Sequence, residues 1–201
     1  EERIEDYIYI REVPSFDVTE KGILFKISPL SFYQVNTPMA EILYQKATEL
    51  AQPEGKTVID LYCGAGTIGL SMAHRAAQVI GVEVVPAAIE DARRNAEVNG
   101  ITNARFICAD AAVAAAQLAR EGVRPDVIVL DPPRKGCDPA LIDTVVQMAP
   151  ARVVYVSCDP ATLARDLKLF GEKGYMVKSV QPVDLFPRTA HCENVASLVR
   201  K

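Results

Sequence analysis

From Thr57 onward the chain repeats one rhythm, a short apolar run followed by a stretch with helical spacing. The apolar runs are Thr57–Leu61, Val79–Val82, Arg105–Ile107, Val127–Leu130 and Val153–Val156. The helical stretches run from a glycine loop to about His74, then over 86–99, 110–120, 139–149 and 161–173. Strands that alternate with helices are joined by crossovers, and crossovers build a parallel sheet with helices on both faces. The pattern predicts an α/β fold, a doubly wound and mostly parallel sheet with right-handed connections. Gly100 and Gly174 stand where two of the helices should close. Two last runs, about 175–182 and 194–199, have no helical pattern between them, so one of them should run antiparallel. They bring the expected sheet to seven strands.

Upstream of this rhythm, Tyr7–Ile10 and Ile23–Ile27 read as short strands, the second opening just after Gly22. Met39, Ile42, Leu43, Ala47 and Leu50 share one face of a predicted helix over 37–50, with Pro38 in its first turn. The expected division is a short β segment over 1–30, leading from a region absent from this sequence, and one domain over 31–201. The chain has 201 residues, 49% of them hydrophobic, enough for one core. No apolar run approaches the roughly 20 residues of a membrane-spanning helix, and no signal peptide opens the chain. The net charge of −4 is unlike that of a domain that grips nucleic acid alone, so such a grip would be local or supplied by another segment. The five cysteines include no C-x-x-C pair, which argues against a disulfide framework and a zinc site. A reducing cytoplasm and a monomer are the expectations.

The run Gly64–Ala65–Gly66–Thr67–Ile68–Gly69 follows a strand and opens a helix. Such a turn presents backbone N–H groups to a ligand. Glu83 closes the next strand, where an acid can accept the hydroxyls of a ribose. Asp110 follows the third strand and could hold an adenine amino group, cap the next helix, or do both. Asp60 could face the amides of the turn or the amino group of a cofactor bearing an amino acid. The glycine spacing equally suits a nicotinamide dinucleotide, which keeps an oxidoreductase as a rival.

Asp131–Pro132–Pro133–Arg134 ends the fourth strand, on the edge where parallel sheets bind ligands. Its two prolines remove donors and should leave carbonyls open to a substrate. An aromatic in the fourth place would suit methylation of exocyclic amines, whereas Arg134 and Lys135 suit phosphate or a base carbonyl. Cys158 sits at a strand tip before Pro160, where a helix N-terminus should lower its thiol pKa and make it a nucleophile. Glu193, near the last strand, is a candidate base, with His191 as a possible assistant and Cys192 expected to point away.

Five runs together resemble the catalytic domain of the S-adenosylmethionine-dependent RNA 5-methyluridine methyltransferases. They are Phe32–Asn36, Asp60–Thr67, Asp131–Arg134, Ser157–Pro160 and Phe186–Glu193. The resemblance covers about Ile23 to the end and implies a Rossmann-like methyltransferase sheet with an antiparallel last strand. It implies S-adenosyl-L-methionine as cofactor, with S-adenosyl-L-homocysteine as product. Contacts to it would come from Gln34, Tyr62, Gly64, Glu83, Asp110 and Asp131. Cys158 would be the nucleophile and Glu193 the base. It further implies an RNA partner, ribosomal or transfer, and an N-terminal RNA-binding domain of OB type missing from this sequence. The run Pro133–Cys137 favours the 23S ribosomal branch. Asp159, where many members carry Asn, is a small departure.

Overall fold

The computed structural model describes residues 7–10, 22–26, 36–189 and 191–201. In chain order come strands β1 (Tyr7–Ile10) and β2 (Ile23–Lys26), helix α1 (Thr37–Ala51), β3 (Thr57–Leu61), α2 (Thr67–Ala73) and β4 (Gln78–Glu83). Next are α3 (Pro86–Val98), β5 (Ala104–Cys108), α4 (Ala111–Arg120), β6 (Val127–Leu130) and α5 (Pro139–Met148). The chain closes with β7 (Arg152–Ser157), α6 (Pro160–Glu172), β8 (Tyr175–Val183) and β9 (Glu193–Arg200).

In β3 every side chain after Thr57 is buried, so the strand needs cover on both faces. Val58 points to the layer formed by α1 and α2. Ile59 and Leu61 point the other way, to α4, α5 and α6. The same period-two split separates Val79 from Ile80, Val127 from Ile128 and Val154 from Tyr155. The main sheet has the order β5-β4-β3-β6-β7-β9-β8. Strands β3 to β7 pair in parallel, and β9 runs antiparallel to both neighbours. The seven-stranded, doubly wound sheet therefore matches expectation, and the antiparallel strand is the last in the chain, set between β7 and β8. Strand order reverses at the β3–β6 junction, so the ligand crevice lies beyond the carboxyl ends of these two strands.

Several helices start at that edge. Asp110, Asp138 and Asp159 cap α4, α5 and α6 by accepting backbone N–H groups of the first turn. Gly100 (φ 65°) and Gly174 (φ 95°) take the left-handed conformation expected of them. None of the described helices is long and apolar enough to cross a membrane.

The side chain of Asn99 fastens β2 to the domain. Asn99, at the end of α3, accepts the Leu24 N–H at 2.8 Å and donates to the Leu24 carbonyl at 2.7 Å. Ile23 and Phe25 are buried in the core on either side. Asn99→Ala strands both backbone groups and is expected to cost about 1–3 kcal/mol. A lower urea midpoint and faster hydrogen exchange at the Leu24 amide would register it, and an unchanged exchange rate would dismiss the clasp.

Candidate active site

Continuing each strand's alternation to the crevice places five side chains on one face. Glu83 follows Val79, Asp60 follows Val58, Asp131 follows Val129, Cys158 follows Val156, and Glu193 precedes Val195. The β7–β9 ladder ends with Ser157 opposite Asn194, and Cys158 and Glu193 are the next residues along that register, close enough for the Glu193 charge to act on the thiol.

The glycine loop gains its shape from missing side chains. Gly64 is left-handed (φ 53°), and a Cβ there would meet nothing within 4 Å, so its surface opens outward. A Cβ at Gly69 would lie 2.9 Å from Asp60 Oδ2, too close to stay. Without it, the Gly69 N–H donates to that oxygen at 2.8 Å. Tyr62 is also left-handed (φ 70°), a conformation that costs a bulky residue about 1–3 kcal/mol and gathers at functional sites. The Glu83 carboxylate accepts Val84 N–H and Val85 N–H on Oε1 and Gly64 N–H on Oε2. Three donors thus occupy three of its roughly four acceptor sites, so gripping both ribose hydroxyls requires the Gly64 N–H, at 3.2 Å, to yield. Asp110 caps α4 through Oδ1, which accepts the Ala112 and Val113 N–H groups. Gln34 lies outside the described residues.

Asp60 Oδ1 is the one buried side-chain oxygen or nitrogen among the described residues with no hydrogen-bond partner. Burial first, then the charges of Asp131 and Glu83, push the Asp60 carboxyl up to about 8, against the Gly69 bond. An ammonium group would satisfy the oxygen and relieve the charge. Of the two alternatives for Asp60, the turn amide is the one met, on Oδ2, while Oδ1 stays without a partner.

The catalytic half carries similar stress. Glu193 is 4% exposed, not a surface carboxylate, and burial raises its pKa while Arg134 opposes the rise. Burial and the Glu193 charge push Asp131 up to about 7. Cys158 is half-buried, and its thiol pKa is raised by burial, then by Glu193 and Asp131, with Arg134 pulling it down. This corrects the expectation of a thiol acidified by its helix. Asp159 already takes the Ala161 and Thr162 N–H groups at 2.9 Å, and its charge offsets the positive end of α6. In the loop after β6 the Pro133 carbonyl accepts Gly136 N–H and the Arg134 carbonyl accepts the Thr162 hydroxyl, which leaves each with one further lone pair. Arg134 Nη2 approaches His191 Nε2 at 3.5 Å, and His191 meets the Phe186 ring edge-on. Cys192 turns its thiol to the Glu193 carbonyl. Sequence reading overlooked Asp166, although an aspartate on the buried face of α6 with Leu163 and Phe170 was a visible signal.

Residues 4–201 match the model of a family described as tRNA (uracil-5-)-methyltransferase. A curated relative from Bacillus cereus, an uncharacterized RNA methyltransferase, is 55% identical over 179 residues, 89% of this chain and 39% of that protein. Another, from Halalkalibacterium halodurans, is 53% identical over 198 residues, 98% of this chain and 42% of that protein. The chain therefore spans less than half the length of these relatives. Among solved structures, a tRNA (uracil-54, C5)-methyltransferase of Pyrococcus abyssi in complex with S-adenosyl-L-homocysteine aligns with a TM-score of 0.76 and 34% identity. The alignment covers 96% of this chain and 51% of that one. A SAM-dependent methyltransferase of Agrobacterium tumefaciens shares the fold at a TM-score of 0.68 and 18% identity, over 90% of this chain and 67% of that one.

The stressed carboxyls give the ligand-free protein a pH signature. A folded pKa above the unfolded one means that the folded state binds more protons between the two. The contribution of Asp60 and Asp131 is full below about pH 4 and is lost as pH rises through 7 and 8. Melting temperature should fall between about pH 5 and pH 8.5, and Asp60→Asn or Asp131→Asn should each flatten that slope. A slope unchanged in both variants would refute the assignment.

Proposed function

We propose, from the premise that this chain belongs to the tRNA (uracil-5-)-methyltransferase family, that it transfers a methyl group from S-adenosyl-L-methionine to carbon 5 of a uridine in RNA. The observation that carries this reading is that Cys158 and Glu193 follow directly on the last pair of the β7–β9 ladder, with the Glu193 charge acting on the thiol. A nucleophile and a base brought together in this way can serve one planar base. The cofactor's amino group suits Asp60 Oδ1, its ribose Glu83, and its adenine amino group Asp110. The open face at Gly64, with Tyr62, Asp131 and Gln34, completes the set implied by resemblance. When bound, this cofactor supplies a methyl group on a sulfonium, an electrophile for a carbon nucleophile.

Carbon 5 of uracil is a weak nucleophile until carbon 6 is attacked. The Cys158 thiolate bonds to carbon 6, and the electrons of the 5,6 double bond pass to carbon 5 and its neighbouring carbonyl. Arg134 favours that thiolate, and the raised pKa of Asp131 reduces the opposing negative charge. After methylation the Glu193 carboxylate removes the carbon-5 proton. The freed electron pair restores the double bond and expels Cys158 as thiolate. A buried Glu193 with a raised pKa is a stronger base than an exposed carboxylate, as this step requires. For the RNA, the run Pro133–Cys137 supports ribosomal RNA, and the likeness to the Pyrococcus abyssi enzyme supports transfer RNA. The acidic chain takes its RNA grip in part from a segment outside this sequence.

Calorimetric titration with S-adenosyl-L-homocysteine should show binding, with NADH silent. NADH binding alone would restore the oxidoreductase. Cys158→Ala is expected to abolish methylation of ribosomal and transfer RNA substrates while leaving S-adenosyl-L-homocysteine binding intact. Full activity in Cys158→Ser would favour a nitrogen methyltransferase instead. Glu193→Gln should slow turnover by about a hundredfold to ten-thousandfold and accumulate a protein–RNA adduct stable to denaturing gels.

A further inference from the structure

Behind the crevice, the loop that carries Asp131 and Arg134 is fastened to the first turns of α6. The Thr162 hydroxyl donates to the Arg134 carbonyl at 3.0 Å. Arg165 Nη2 donates to the Lys135 carbonyl at 2.8 Å and reaches the Cys137 carbonyl at 3.5 Å. Asp166 closes the fastening. It is fully buried, accepts the Cys137 N–H at 2.8 Å and the Tyr155 hydroxyl at 2.6 Å on Oδ2, and takes Arg165 Nε at 2.8 Å on Oδ1. Loop, strand β7 and helix α6 thus converge on one carboxylate. Gly136 makes the approach possible. It is left-handed (φ 75°), and a Cβ there would sit 2.5 Å from both Asp166 Oδ2 and Arg165 Nη2.

A buried carboxylate is costly, and replacing such a group by apolar side chains is often neutral or stabilising, so its presence is weak evidence for stability alone. Its position suggests another purpose. β6 ends one residue before Asp131, and α6 is capped by the residue after Cys158. Any slack between loop and α6 therefore changes the distance from Arg134 to Cys158. Arg134 is the cation that acts on both Cys158 and Glu193.

We propose that Asp166 is a positioning residue for methyl transfer, holding the Asp131–Arg134 loop against the start of α6 so that Arg134 stays beside Cys158 and Glu193. The proposal rests on the assignment of Cys158 as nucleophile. It is tested by the pH dependence of iodoacetamide alkylation at Cys158, resolved by peptide mass spectrometry because Cys108 and Cys192 are also accessible. In Asp166→Asn the Cys158 midpoint should move to higher pH, because Arg134 no longer counters the rise. Turnover should fall about tenfold to a hundredfold with cofactor KM unchanged, the effect of a misplaced group. Thr162→Val, on the solvent side of the same clamp, should move both readouts the same way by less, and it decides the matter if Asp166→Asn does not fold.

An unmoved Cys158 midpoint, with turnover lost only in proportion to unfolded protein, would reduce Asp166 to a fold residue. The two failures are distinguishable. If the nucleophile assignment is wrong, Cys158→Ala still turns over; if only the clamp is wrong, Cys158→Ala is dead and Asp166→Asn has the wild-type kcat.

Discussion

The bond from Gly69 N–H to Asp60 organises this molecule. It joins the central strand to the helix that follows it, and it exists because residue 69 has no Cβ to hold the two apart. The loop between them must then turn through left-handed residues, which leaves Gly64 facing open space. The same bond satisfies one oxygen of a fully buried carboxylate and leaves the other without a partner. A buried acid in that state is stable only when it is protonated or meets a cation. The unpaired oxygen is thus a consequence of how β3 and α2 pack.

Charge along the crevice follows from sheet order. Glu83, Asp60 and Asp131 end three neighbouring strands on one face, and each raises or feels the charge of another. The far end of the row is Glu193, brought there because β9 enters between β7 and β8 rather than beside them. That insertion also buries Glu193 and sets it against Cys158. The cost is a thiol that resists ionisation in the ligand-free protein, and Arg134 is the counterweight. The loop after β6 thus carries the one cation that opposes the rise at Cys158 among the described residues.

Much of this was legible in the residues. The alternation of apolar runs and helical stretches announced the doubly wound sheet, because a parallel pair cannot close without a crossover. Gly64 to Gly69 marked the loop, and Glu83, Asp110, Asp131, Cys158 and Glu193 each stood at a predicted strand end. One expectation failed. Cys158 was expected to gain from its helix, but burial and the charges of Glu193 and Asp131 raise its pKa, and Asp159 already takes the first amides of α6. Burial and competing hydrogen-bond partners cannot be seen from position along the chain.

The sequence by itself determined the element order, the edge of the sheet that carries the chemistry and the residue types found there. These follow from period, turn chemistry and chain connectivity, which are local properties. The tertiary structure alone decided that Cys158 and Glu193 follow the last pair of one ladder, that one oxygen of Asp60 is left unpaired, and that Asp166 gathers a strand, a loop and a helix. Register, burial and the competition for hydrogen bonds arise between segments far apart in the chain, and no local pattern encodes which of them will meet.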